Sequence, residues 1–138
     1  MSDCIFCKIV AGDVPANKVH EDDDVLAIMD VGHVNPGHCL VIVKSHVPTI
    51  MELDEATVGN AFTVASQIAK ALESNYHPDG MTILQANRPA GWQTVPHFHV
   101  HVLPRYADDG VGLTWPAKNP PQEELAATAA DVRTALVG

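Results

Sequence analysis

The sequence predicts an α+β domain: an antiparallel sheet of about five strands, one long helix and a C-terminal helix. Three observations carry that expectation. Short apolar runs bounded by turn residues follow one another in hairpin order. Helical periodicity is confined to one long stretch and the C-terminal segment. The 138 residues suit a single domain over 1–138, with no repeat, low-complexity tract or long linker.

Each element has its own signal. Cys4-Ile-Phe-Cys-Lys-Ile-Val10 reads as a turn and a short helical piece, closed by Gly12 and Pro15. Val19-His20-Glu21 and Val25-Leu-Ala-Ile-Met29 flank the acidic run Glu21–Asp24, the pattern of a hairpin with a solvated acidic turn. Asn35-Pro36-Gly37 is a turn leading into Cys39-Leu-Val-Ile-Val43, apolar enough for a buried strand with Cys39 in the core. Leu53, Val58, Phe62, Ala65, Ile68, Ala69 and Leu72 recur at helical spacing. Asp54 is placed to cap that helix, which should end before His77-Pro78. Met81 to Ala86 reads as a strand, Asn87 to Thr94 as a polar loop, and His97 to Leu103 as a final strand. Beyond Pro104 the chain is loop-like until a terminal helix over Glu123–Val137.

Charge and apolar content narrow the function. The net charge is −9 and the eight Lys and Arg are scattered, so no basic face is offered to a nucleic-acid backbone. A small anion remains within reach, because backbone amides and imidazoles bind phosphate without Lys or Arg. No apolar run approaches the roughly 20 residues of a membrane span. The N-terminus has no basic and apolar leader pattern, so a reducing cytoplasm is the expected compartment.

The informative segment is His97-Phe98-His99-Val100-His101-Val102-Leu103. In a strand, alternate side chains share a face. His97, His99 and His101 would therefore line one face while Phe98, Val100 and Val102 pack inward. Three imidazoles in a row suit neither a dry core nor a plain solvent face. They could be a metal centre, as alternating strand histidines ligate zinc or iron. Only Asp79 supplies a carboxylate between Glu73 and Asp108, which weakens a metal-hydrolase reading. A phosphotransfer nucleophile accounts better for the surroundings. A neutral imidazole attacks phosphorus when one ring nitrogen is held protonated by an acceptor, and neighbouring imidazoles then donate to phosphate or leaving group. The preceding loop, Asn87-Arg-Pro-Ala-Gly-Trp-Gln-Thr94, adds amides and a hydroxyl beside Gly91.

Cys4-x-x-Cys7 is half of a zinc site, a redox pair or two buried thiols. A redox pair belongs at the start of a helix in a thioredoxin-like unit, a context not found here. A closed tetrahedral zinc would need two further ligands, preferably His. His20, His33 and His77 carry no motif.

The segment His97 to Leu103 resembles the signature of the histidine triad (HIT) family. The resemblance extends from Cys4-Ile-Phe-Cys7 through Gly37 to His46, Asn87 and Gly91-Trp-Gln-Thr94 to Pro104-Arg-Tyr106, and is nearest the Hint-like bacterial branch. It implies the HIT-like fold and nucleotide hydrolysis, with His99 as the nucleophile that forms a nucleotidyl-histidine intermediate. His101 would contact phosphate, His38 would shape the site, and Asn87, Gly91, Gln93 and Thr94 would surround phosphate and leaving group. Thr94 stands where some relatives have Ser. Asp30 would bind the ribose, and Ile5, Phe6, Ile9, Val31 and Leu40 would hold a purine base, as in AMP.

The resemblance also completes a structural zinc site, Cys4, Cys7, His46 and His97, with no catalytic metal. It implies a homodimer through the long helix and a sheet edge. Nucleoside phosphoramidates are the implied substrates. Diadenosine polyphosphate hydrolysis, or nucleotide binding without catalysis, are the alternatives. The segment Thr114 to Pro121, with Trp115, departs from the tail of eukaryotic relatives.

Overall fold

A computed structural model describes residues 3–137. The elements follow in the order α1 (Ile5–Ala11), β1 (Lys18–Glu21), β2 (Val25–Met29), β3 (Cys39–Val43), α2 (Glu55–Tyr76), β4 (Gly80–Gln85), a 3₁₀ turn (Pro89–Gly91), β5 (His99–Arg105) and α3 (Gln122–Val137). The five strands form one antiparallel sheet in the order β1-β2-β3-β5-β4. The expected α+β class is therefore the observed one.

Local chemistry sets the boundaries. The Cys4 sulfur accepts from the Cys7 amide at the start of α1, and Gly12 closes it at φ 86°. Asp22 Oδ1 accepts from the amides of Asp24 and Val25, turning the β1–β2 hairpin with a side chain rather than a glycine. Asp54 caps α2 by accepting from the Thr57 amide, and His77 ends it in the left-handed region at φ 49°.

Two apolar layers grip the sheet. On one face α2 buries Ala61, Val64, Ala65, Ile68 and Leu72 against Val41, Phe98, Val100 and Val102. Phe98 is fully buried, so its truncation to Ala should cost about 3–5 kcal/mol. On the other face α1 sets Phe6 against Leu26, Ile28, Leu40 and Ile42. Helix α3 forms as expected, yet its described side chains are all exposed, with Leu125, Val132 and Leu136 among them.

The last strand differs from expectation at both ends. It begins at His99 rather than His97, because Pro96 has no amide to pair and the His97 and Phe98 amides bond to the Val95 and Val47 carbonyls. It runs on through Pro104, which pairs with Met81 of β4.

Candidate active site and metal centre

Backbone partners assign a tautomer to each central imidazole. A carbonyl only accepts, so His99 Nδ1–H donates to the His97 carbonyl at 2.7 Å. That leaves the His99 Nε2 lone pair free. By the same logic His97 Nε2–H donates to the Val43 carbonyl at 2.6 Å, leaving its Nδ1 bare. The Val34 amide donates to His38 Nδ1 at 3.2 Å, so His38 carries its proton on Nε2. His38 Nε2–H then donates to His101 Nδ1 at 2.9 Å, which places the His101 proton on Nε2. Asp30 Oδ2 lies 3.4 Å from His38 Nε2.

Burial pushes His38, His97 and His99 below the usual imidazole range. His101 is pushed down to about 4, by burial first and then by neighbouring His99 and His38. The cluster is thus neutral near pH 7, with one bare nitrogen on His99 and one N–H on His101. A nucleophile beside a hydrogen-bond donor is the arrangement phosphoryl chemistry requires.

His99 and His101 open on a cavity of about 330 Å³ between α1 and the sheet. Its walls include Ile5, Phe6, Ile9, Asp30, Val31, Leu40, Thr94, His99 and His101, all read as site residues from the sequence. Phe6 packs edge-on to His99, ring centroids 4.9 Å apart. Val31 sits at the rim and is 97% exposed. The walls also contain Ala16, Ile28 and Val95. Ile28 shares a face of β2 with Leu26, two residues away, whereas Ala16 and Val95 carry no sequence signal. A second cavity of about 320 Å³ opens on the opposite face between α2 and the sheet, away from these imidazoles.

In the loop before β5 the side-chain amides of Gln93 and Asn87 are bonded within the protein. Gln93 points inward, its Oε1 accepting from the Arg88 amide at 2.7 Å and its Nε2 donating to the Pro48 carbonyl at 2.6 Å. Asn87 likewise accepts from the Ile50 amide and exchanges hydrogen bonds with Gln85. Both amides brace a strained loop in which Arg88 (φ 65°) and Trp92 (φ 77°) hold positive φ. Gly91 lies in the exposed 3₁₀ turn.

At the N-terminal side of β5 the bare His97 Nδ1 faces Cys4 Sγ at 3.3 Å and Cys7 Sγ at 3.5 Å. His46 Nδ1 lies 3.1 Å from Cys7 Sγ. The ligand atoms of Cys4, Cys7, His46 and His97 lie within 4.8 Å of one another, so the cluster could hold a metal ion. Zn–S near 2.3 Å and Zn–N near 2.0 Å imply S···N edges of about 3.5 Å in a tetrahedron, close to those found. Burial and the neighbouring Cys4 push the Cys7 thiol up; a divalent cation would oppose this by holding both sulfurs as thiolates. Asp30, His38 and His101 form a second such group. There the His38 proton sits on the very nitrogen that would have to ligate.

Comparison with known proteins agrees with this architecture. The family model for the HIT domain matches residues 11–108. The chain is 42% identical over 113 residues to the protein named hit of Bacillus subtilis, covering 81% of this chain and 78% of that one. An adenosine 5′-monophosphoramidase of Schizosaccharomyces pombe is 32% identical over 134 residues, 96% and 98% of the two chains. An adenylylsulfatase of Arabidopsis thaliana is 35% identical over 108 residues, 78% of this chain and 55% of that one. The crystal structure of a HIT family protein from Bacillus anthracis superposes with a TM-score of 0.91 at 37% identity, covering 96% of each chain. A zinc-bound histidine triad family protein from Mycobacterium smegmatis superposes with a TM-score of 0.75 at 35% identity, covering 97% and 98%.

Proposed function

The chain belongs to the HIT domain family, and from that premise we propose that it hydrolyses purine nucleoside phosphoramidates through a covalent intermediate on His99. One observation carries the reading. His99 donates its Nδ1 proton to the His97 carbonyl at 2.7 Å, so its unprotonated Nε2 is available to a phosphorus atom in the adjoining cavity.

The chemistry proceeds in two displacements. The His99 Nε2 lone pair attacks the α-phosphorus, forming a P–N bond. The bond to the leaving group breaks with its electron pair, and the departing amine takes a proton from solvent, which the attacking water of the second displacement gives back. The imidazole positive charge is stabilised by the Nδ1–H bond to the His97 carbonyl. His101 Nε2–H donates to a non-bridging phosphate oxygen, with Thr94 beside it. Water then attacks phosphorus, the P–N bond breaks, and AMP leaves with His99 restored. Phe6, Ile9 and Leu40 hold the base, and Asp30 accepts from the ribose hydroxyls. In this reading Asn87, Gly91 and Gln93 set the shape of the loop over the phosphate.

Cys4, Cys7, His46 and His97 would hold zinc, which would supply a cross-link between α1 and the residues leading into β5. It takes no part in either displacement. The protein is read as cytoplasmic, where its thiols stay reduced. It is also read as a homodimer through α2 and β4, an edge strand on which Ile83 is 42% exposed.

The test is adenosine 5′-phosphoramidate with wild type and His99→Ala, in metal-free buffer, following AMP. Release by the wild type alone supports the reading. Wild-type protein that binds AMP yet releases none would be a nucleotide-binding module or a diadenosine polyphosphate hydrolase, and the latter substrates would separate those two.

A further inference from the structure

The turn between β2 and β3 presents Asp30 to the cavity and His38 to His101, and part of what fixes that turn lies away from the cavity. Asn35 is buried, and its Nδ2 donates to the Pro104 carbonyl at 2.9 Å and to Asp109 Oδ2 at 3.0 Å. The Pro104 carbonyl lies beyond the last β3–β5 pair, Cys39 with Val102, so the Asn35 amide stands where a further strand residue would bond. The Asp109 carboxylate also accepts from Arg105 Nε at 2.8 Å and from the amides of Tyr106 and Val111 at 3.0 Å each. Arg105 in turn reaches Thr82 Oγ1 of β4 at 3.2 Å.

The turn also rests directly on its surroundings. Gly37 has φ +98°, and a Cβ there would lie 2.8 Å from Leu72 Cδ2 and 3.3 Å from Pro104 Cγ. Within the turn, the His38 amide donates to the Asn35 carbonyl at 3.1 Å and the Val34 amide to His38 Nδ1. Asn35 precedes His38 by three residues, and Pro104 follows His101 by three. One side-chain bond therefore closes the bracket that holds the two imidazoles together.

We propose that Asn35, braced by Asp109, is a positioning residue for the His38–His101 pair. It keeps His38 donating to His101 and so keeps the His101 proton on Nε2, facing the phosphoryl group. The proposal deepens the hydrolase reading above and rests on it for its catalytic consequence. A role in stability alone would not depend on His38.

Long-range proton–nitrogen NMR of the free protein reads the His101 tautomer directly. Wild type should show Nε2 protonated and Nδ1 bare. Asn35→Ala should show a mixture, and Asp109→Ala a smaller shift in the same direction. With adenosine 5′-phosphoramidate, Asn35→Ala should lower kcat about tenfold and change KM less than about twofold. In a His38→Ala background the same change should move kcat less than about twofold, because the partner it positions is gone. An unchanged tautomer in whichever variants fold, or an equal kcat loss with and without His38, would overturn the proposal. If wild type hydrolyses nothing, the function reading fails while the NMR result still decides the positioning.

Discussion

Two groups of histidines stand a few ångströms apart around the start of β5, built from one residue type, yet they offer opposite chemistry. His97 and His46 meet two cysteine sulfurs, while His101 meets both His38 and His99, Asp30 lies beside His38, and His99 and His101 face a cavity with apolar walls. Burial lowers the proton affinity of both His97 and His99. The difference lies in which nitrogen the backbone occupies. The Val43 carbonyl takes His97 Nε2–H and leaves Nδ1 for the sulfurs. The His97 carbonyl takes His99 Nδ1–H and leaves Nε2 for the cavity. A carbonyl thus leaves one imidazole with a bare nitrogen toward two sulfurs and its neighbour with a bare nitrogen toward the cavity, as the proposed ligation and attack require.

The comparison breaks first at His99. Replacing it with Ala should cost at least about 10³-fold in phosphoramidate hydrolysis while AMP binding persists, as read by AMP release and calorimetry. Replacing Cys7 with Ser should do the reverse. Metal content should fall, and the melting temperature should drop by about 10 °C or more, with His99-dependent turnover retained at low temperature. Loss of turnover in step with zinc, in protein still folded, would erase the distinction between the two groups.

A smaller effect sharpens the comparison through pH. His101 titrates near 4 in the fold against 6.5 when unperturbed. The folded state therefore resists protonation, so His101 contributes stability above about pH 6.5 that is lost as pH falls toward 4. His101→Asn should flatten the decline in melting temperature across that window, and an unaltered slope would place the acid sensitivity elsewhere. The mildest change is Asp30→Ala. It should raise KM for adenosine 5′-phosphoramidate about fivefold with a lesser effect on kcat, since ribose contacts act on binding more than on the reacting phosphorus.

Much of this was legible in the chain. The period-two histidines, the helical stripe from Leu53 to Leu72 and the Asp54 cap are local patterns, and local patterns dictate strand, helix and cap. The candidate purine slot was legible in part. Phe6 and Leu40 are implied by the family resemblance, whereas Ala16 and Val95 join the wall only when distant loops close on it. For Gln93 and Asn87, placed at phosphate and leaving group by the resemblance, the fold adds that their side-chain amides bond to backbone, a partner the sequence does not indicate.

The sequence by itself determined which segments form strands and helices, the family and the set of imidazoles and thiols, since each rests on residue identity and spacing along the chain. Only the tertiary structure decided which ring nitrogen of each histidine is free, where β5 begins, and how Asn35 reaches Pro104. Those outcomes depend on carbonyls and side chains brought together from up to 69 residues apart, and no local pattern encodes a partner that folding alone supplies.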